Sequence, residues 1–157
     1  MGLPDGLAMA IVYLPDDHHS VRYVPWARLR KDEDDNVIGV LGAAFRLRDE
    51  EEYLSATWAE FFVESTHADR VTASIRAIRA SNIDVRPKSG FAVGCVSKIK
   101  QVCLDDPRRH RVRIIHEAEP DNAAHAALRG WPRDNDDLLN LLAEEIWCDA
   151  ILNAAIP

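Results

Sequence analysis

The stretch that decides the fold is residues 91–115, FAVGCVSKIKQVCLDDPRRHRVRII. It opens with a short apolar strand, Phe91 to Gly94. Apolar residues then recur at intervals of three and four, which predicts a helix over Val96 to Asp105 that ends before Pro107. Arg109 to Ile115 alternates as a second strand. A strand, a helix and a strand in this order predict a βαβ crossover with parallel strands.

Strand-like segments also dominate the N-terminal side of the chain. Leu7 to Leu14 is a short apolar run, and it predicts a first buried strand. Two further strand-like runs flank the polar turn Lys31 to Asn36. This pattern predicts a hairpin from Ser20 to Leu41, with a loop longer than two residues.

Four further segments carry helical patterns. They are residues 50–64, a helix that follows Thr66, a short helix over Ala123 to Arg129, and a last helix that Asn135 or Asp136 caps and that ends near Ala154. The first of these begins after Asp49, a good N-cap, and its stripe of aromatic residues is interpreted as core packing. Thr66 and Asp69 resemble a capping box, which marks the start of the second.

These elements predict an α+β fold. We expect a mixed β-sheet with an N-terminal hairpin and one βαβ-like unit, covered by four to five helices. The chain has 157 residues, of which 47% are hydrophobic. That length and composition fit a single globular domain over residues 1–157. No apolar run approaches the roughly 20 residues of a membrane span, so we expect no membrane partner.

Charge and cysteine usage exclude some classes of protein. The formal net charge is -7, and this acidity argues against a nucleic-acid binder, which is normally basic. The cysteines Cys95, Cys103 and Cys148 are odd in number and have no paired close spacing. They are interpreted as small buried hydrophobes in a reducing cytoplasm, without a catalytic role.

No motif specific for a reaction occurs in the chain. It contains no Gly-rich phosphate loop, no Gly-x-Ser-x-Gly elbow, no zinc-finger spacing and no dinucleotide fingerprint. The seven glycines are too scattered for such loops. Whether the protein is an enzyme is therefore left open by its sequence.

The first candidate site is the stretch 116–125, HEAEPDNAAH, which combines imidazoles and carboxylates. We identify His116, Glu117, Asp121 and His125 as candidate catalytic residues, because these side chains can act as acids and bases or bind a divalent metal. Their spacing matches no standard pair of metal ligands on a helix. The structural alternative makes Asp121 a helix cap and the two histidines ordinary hydrogen-bonding residues.

The second candidate is an arginine strip, which we define as Arg109, Arg111 and Arg113. Alternation places the three on one face of the predicted strand, where guanidinium groups can bind phosphate or carboxylate. The structural alternative is an edge strand protected by charge, with neighbouring carboxylates neutralising the strip. Trp131 and Trp26 join the strip as candidate interface anchors, because Trp and Arg are enriched at binding hot spots.

The third candidate is the histidine pair His18 and His19, which follows Asp16 and Asp17. Such a group can chelate a metal. However, neighbouring residues of an extended chain point to opposite sides. The pair is therefore interpreted as part of a solvated turn.

The leading functional hypothesis is a small cytoplasmic accessory or adaptor protein that binds another protein or a second copy of itself. Its basis is an acidic domain without any catalytic signature. The alternative is a small metal-dependent or His-dependent hydrolase or transferase that uses the loop 116–125. We expect no cofactor under the first hypothesis and a divalent metal at most under the second.

Overall fold

A computed structural model of the chain describes residues 10–147 and 150–157. The strands that these residues form are β1 His19–Pro25, β2 Leu29–Lys31, β3 Val37–Val40, β4 Tyr53–Trp58, β5 Ser89–Cys95, β6 Arg113–His116, β7 His125–Arg129 and β8 Ala150–Leu152. Six of them make one sheet in the order β6-β7-β4-β1-β5-β8, and β2 pairs with β3 in a separate sheet. Strands and helices in this arrangement confirm the α+β class.

Three α-helices occur in the described part of the chain: α1 His67–Ala80, α2 Val96–Asp105 and α3 Asp136–Glu145. This is fewer than the four to five predicted. The bounds predicted for α2 are confirmed. The caps predicted for α1 and α3 are also confirmed, since Thr66 accepts a hydrogen bond from the backbone N–H of Asp69 and Asn135 accepts one from Leu138. None of these helices is long and apolar enough to cross a lipid bilayer.

The helix predicted over residues 50–64 is wrong, because this segment forms strand β4 and a 3-10 turn, Ala59–Phe61. Leu54 and Ala56 are buried on one face of the sheet. The aromatic residues that matched helical spacing are divided between the strand and the turn. β4 pairs with β1 on one side and β7 on the other, so both of its edges are hydrogen-bonded.

The short helix predicted over Ala123 to Arg129 is also wrong, and the segment forms β7. Residues 125–128 are all buried, so no alternation of polar and apolar residues marks the strand. A strand buried on both faces lacks that signal. Pairing with β4 and β6 outweighs the helical propensity of its alanines.

The strand, helix and strand of the predicted βαβ unit follow one another as β5, α2 and β6. However, β1, β4 and β7 lie between β5 and β6 in the sheet. Every pair of neighbouring strands that the structure describes is antiparallel. The parallel pairing expected for a mixed sheet therefore does not occur among the described strands.

The hairpin predicted from Ser20 to Leu41 is shorter in the structure. Its two strands are β2 and β3, whereas β1 belongs to the large sheet. A 3-10 turn, Trp26–Arg28, follows Pro25 and separates β1 from the hairpin. The Asp32 carboxylate stabilises the hairpin loop by accepting hydrogen bonds from the backbone N–H groups of Asp34 and Asn36.

The two ends of the chain also differ from their predictions. The first strand was predicted over Leu7 to Leu14, and residues 7–9 lie outside the described residues. Among the rest, Tyr13 forms a single bridge to Ile115 and Leu14 is buried. At the other end the last helix stops at Glu145, well before Ala154, and the chain returns as β8 to pair with β5.

The core lies on both faces of the large sheet. The larger part packs the hairpin, α2 and α3 against one face, and it includes Phe45 and Trp147, whose rings stack 4.2 Å apart. The smaller part packs α1 against the other face, where Ile75 is buried in one cluster with Val21 and Phe91.

Candidate metal centre

Five of the six histidines lie at one end of the large sheet. His18 and His19 stand where β1 begins, and His67 is the first residue of α1. His116 ends β6 and His125 begins β7. Antiparallel pairing brings these strand ends together, because the start of β1 and of β7 lies beside the end of β4.

His125, one of the predicted catalytic residues, is 4% exposed and hydrogen-bonded at both ring nitrogens. Nδ1 lies 2.8 Å from the carbonyl oxygen of Glu117, so it carries the proton and donates. Nε2 lies 3.2 Å from Ser55 Oγ and, in the neutral ring, accepts from the hydroxyl. These bonds fix the ring in the core. They match the alternative interpretation of His125 as an ordinary hydrogen-bonding residue.

The other three candidates from the loop are held by different partners. Glu117 forms a bidentate ion pair with Arg129 at 2.6 and 2.8 Å, which lowers the pKa of its carboxyl group. Asp121 accepts a hydrogen bond from the backbone N–H of Asn82 at 2.8 Å rather than capping a helix. His116 Nε2 donates to the carbonyl of Ala123 at 2.8 Å. The structure does not gather His116, Glu117, Asp121 and His125 into one ligand group, and their catalytic role stays a prediction.

The arginine strip is exposed, but only part of it lies along a strand. β6 begins at Arg113, and Arg109 lies in a turn with a φ of 53°, so the predicted strand start at residue 109 is wrong. Arg111 and Arg113 still alternate with the buried Val112 and Ile114. None of the three arginines has a carboxylate oxygen within 4.0 Å among the described residues.

The two tryptophans expected to act with the strip have other surroundings. Trp131 is 4% exposed, and its indole N–H donates to the carbonyl of Phe45 at 2.7 Å. Its ring is therefore part of the core and is not displayed on the surface. Trp26 is half-buried between the ammonium groups of Lys31 and Lys88.

The described cysteines carry no reactive signature. Cys103 is buried, and burial together with the charge of Asp106 raises the pKa of its thiol to about 12, which keeps the thiol protonated and unreactive. Cys95 is half-buried, with its sulfur 3.6 Å from the carbonyl oxygen of Asp16. Cys148 lies outside the described residues.

The group that does converge consists of His19, Glu60 and His67. Each residue offers one ligand atom, and no two of these atoms are more than 4.8 Å apart. His19 Nδ1 lies 2.7 Å from Glu60 Oε2, and the backbone N–H of His19 donates to Glu60 Oε1 at 2.8 Å. The ring centroids of His19 and His67 are 4.5 Å apart. Strand β1, the turn after β4 and the first turn of α1 each contribute one side chain.

The protonation states of Glu60 and His67 suit metal binding. Burial raises the pKa of Glu60, but the hydrogen bonds from His19 outweigh it and hold the pKa below its ordinary value. Burial, assisted by the neighbouring charge of His19, lowers the pKa of His67. A metal ligand must be an ionised carboxylate or an unprotonated imidazole nitrogen, and both shifts favour those forms.

His18 lies beside this group with its Nδ1 already hydrogen-bonded. The indole N–H of Trp58 donates to His18 Nδ1 at 3.0 Å. That nitrogen is 4.0 Å from Glu60 Oε1. Since an indole can only donate, Nδ1 of His18 holds its lone pair toward Trp58. His18 lines the same cleft as Glu60 and is not a member of the ligand group.

The ligand group opens onto a cleft of about 610 Å³, which we call the polar cleft. Its lining includes the three ligand residues together with Glu64, Ser65 and Arg70. His67 is exposed and the other two ligands are half-buried. An ion held here would face solvent on one side.

Sequence reasoning missed this group because of two errors. The pair His18–His19 was interpreted as a solvated turn, whereas both rings are half-buried and hydrogen-bonded. Residues 50–64 were assigned to a helix, which places Glu60 on a helix face. A strand at residues 53–58 that is paired with β1 puts Glu60 next to His19. The signal available in the sequence was Tyr53, Thr57 and Trp58, residue types that favour strands.

Comparison with protein-family models, with curated proteins and with solved structures found no match for this chain.

Proposed function

We propose that the protein is a divalent-metal-dependent hydrolase whose metal is bound by His19, Glu60 and His67. The observation that carries this proposal is the convergence of the three ligand atoms within 4.8 Å at the wall of an open cleft. The proposal retains the metal-dependent hydrolase predicted as the alternative function. It moves the site from the loop 116–125 to the neighbouring end of β1.

The composition of the ligand group supports zinc or a similar borderline ion. Imidazole nitrogen and carboxylate oxygen both bind Zn²⁺ at about 2.0–2.2 Å. Catalytic zinc sites typically use three protein ligands, among them the combination of two histidines and one glutamate, and leave a further position for water. The exposed side of this group provides room for that water.

The chemistry of such a centre follows from the charge of the ion. A bound Zn²⁺ lowers the pKa of its water to about 7, which supplies hydroxide at neutral pH. The ion also polarises a carbonyl or phosphoryl oxygen. Arg70 lines the polar cleft close enough to His67 to affect its pKa. A guanidinium in this position favours a substrate that develops negative charge.

The hydrolase proposal is tested by metal-dependent turnover. We expect zinc-loaded protein to hydrolyse members of a panel of activated carboxylic esters, amides and phosphoesters, and chelation to abolish the reaction. Glu60→Gln should lose the activity, because a neutral amide is a poor zinc ligand. Glu64→Gln is the matched control, since Glu64 lines the same cleft outside the ligand group. Turnover that survives chelation or Glu60→Gln, or zinc-loaded protein without turnover on the whole panel, would contradict the proposal.

The adaptor role predicted from the sequence stays a prediction. One observation favours it, namely that Arg111 and Arg113 are exposed and have no ion-pair partner among the described residues. This is the condition in which an arginine strip can bind an acidic surface of another protein.

A further inference from the structure

A second cavity meets the ligand group from its other side. It has a volume of about 470 Å³ and lies between α1, β5 and the C-terminal segment. His19 and His67 line both this cavity and the polar cleft. These two proposed metal ligands therefore form the wall between the polar cleft and the second cavity.

The lining of the second cavity is mainly aliphatic, and we call it the aliphatic cavity. Its larger apolar side chains are Val71, Val93, Ile146, Ile151 and Ile156. Apart from Val71, they are only partly buried. A molecule in the cavity would remove this apolar surface from water, which is favourable. The volume falls within the roughly 300–1,000 Å³ typical of small-molecule sites.

The charged residues at this cavity do not select an ionic group. Lys98 and Glu145 both contribute to the lining, and their charges are opposite. Their attractions for an ion therefore largely offset each other. Among the described residues that line the cavity, the two histidines are the only aromatic ones. The surface matches an uncharged aliphatic chain better than a phosphate, a sugar or a stacked base.

We propose that the substrate is a carboxylic amide or ester with an aliphatic acyl chain, and that the chain occupies the aliphatic cavity while its carbonyl group lies at the metal. This inference rests on the proposed function and names its substrate class. In the reaction the hydroxyl of one water forms a bond to the acyl carbon. The bond from that carbon to the leaving nitrogen or oxygen breaks, and the proton of the water passes to the leaving amine or alcohol.

A series of metal-chelating probes tests this inference. Acetohydroxamate and its butano-, hexano- and octano- homologues bind metals through the same head group and differ only in chain length. We expect affinity for the cobalt-loaded protein to increase about fourfold per added methylene until the cavity is filled. Ile156→Asp should flatten this dependence on chain length. Ile38→Asp is the control, because Ile38 is 61% exposed on β3 and lies outside the cavity lining.

The outcomes distinguish the acyl-chain inference from the proposed metal-dependent function. If cobalt binds and affinity is the same for all chain lengths, the acyl-chain inference is overturned and the metal-dependent function stands. Equal chain-length dependence in wild type and Ile156→Asp would also overturn the inference, because the chain would then lie elsewhere. If cobalt does not bind to the wild-type protein, both proposals fail.

Discussion

At the scale of single residues, the candidate site depends on which ionisable side chains are already hydrogen-bonded to structural partners. Glu117, Asp121 and His125 are each hydrogen-bonded to a structural partner. His19 and Glu60 differ, because their mutual hydrogen bond holds a proton that a cation can replace. The same residue types therefore have different roles at two places only a strand apart.

This exchange of a proton for a metal predicts a pH dependence. The pKa values of Glu60 and His67 are both below their ordinary values, so their ligand forms persist to lower pH than in free side chains. Metal affinity should be nearly constant above about pH 7 and should fall only at a pH lower than the roughly 6.5 at which a free imidazole is protonated. Calorimetric titrations with zinc across this pH range would measure the change in affinity. Affinity that rises on acidification would contradict the assignment.

At the scale of elements, N-cap chemistry connects the stability of α1 to the site. Thr66 caps this helix and His67 is its first residue. Thr66→Ala should cost about 1 kcal/mol of stability, and it should weaken metal binding because the first helical turn frays. Asn135→Ala removes the corresponding cap of α3 and serves as the control. Urea unfolding and zinc titration of both variants would check this.

The two caps should therefore have different effects on the site. The control variant should lose at least as much stability, because the Asn135 amide also bonds Asp106 and His110, and it should keep its metal affinity. Equal weakening of metal binding by both changes would show a general effect of instability. It would not support a positioning role for α1.

The elements also show which sequence signals were sufficient to predict a helix or a strand. α1 and α2 could be predicted because each buries one face and has clear helix boundaries, such as the Thr66 cap and Pro107. β4 and β7 could not, because both are paired on two sides, and β7 is also buried on both faces. Local periodicity carries no information on such pairing. Because a helix was predicted in place of β4, Glu60 was not expected next to His19. The ligand group could therefore not be predicted.

At the scale of the whole molecule, the two proposed binding features lie on different parts of the surface. The ligand group faces the polar cleft, whereas Arg111 and Arg113 line a separate groove with Tyr13 and Lys100. The adaptor prediction and the hydrolase proposal can be tested independently.

The test of the adaptor prediction is Arg111→Glu. Because Arg111 is exposed and has no ion-pair partner among the described residues, the change should alter stability by no more than about 0.5 kcal/mol. It should abolish co-purification of an acidic protein partner from the native host. Arg76→Glu reverses the charge of an exposed arginine on α1 and is the control. Loss of stability, or a partner retained at wild-type level, would contradict docking on the strip.

The central claim, that His19, Glu60 and His67 form one metal centre, is tested most directly by counting bound zinc ions. We expect one zinc ion per wild-type chain, and none in His19→Ala or His67→Ala when both variants fold normally by circular dichroism. His110→Asn should retain the ion, because His110 contacts Asp106 and Asn135 and is not in the ligand group. A folded wild-type protein that binds no zinc, or a His67→Ala variant that binds it as tightly as wild type, would contradict the assignment.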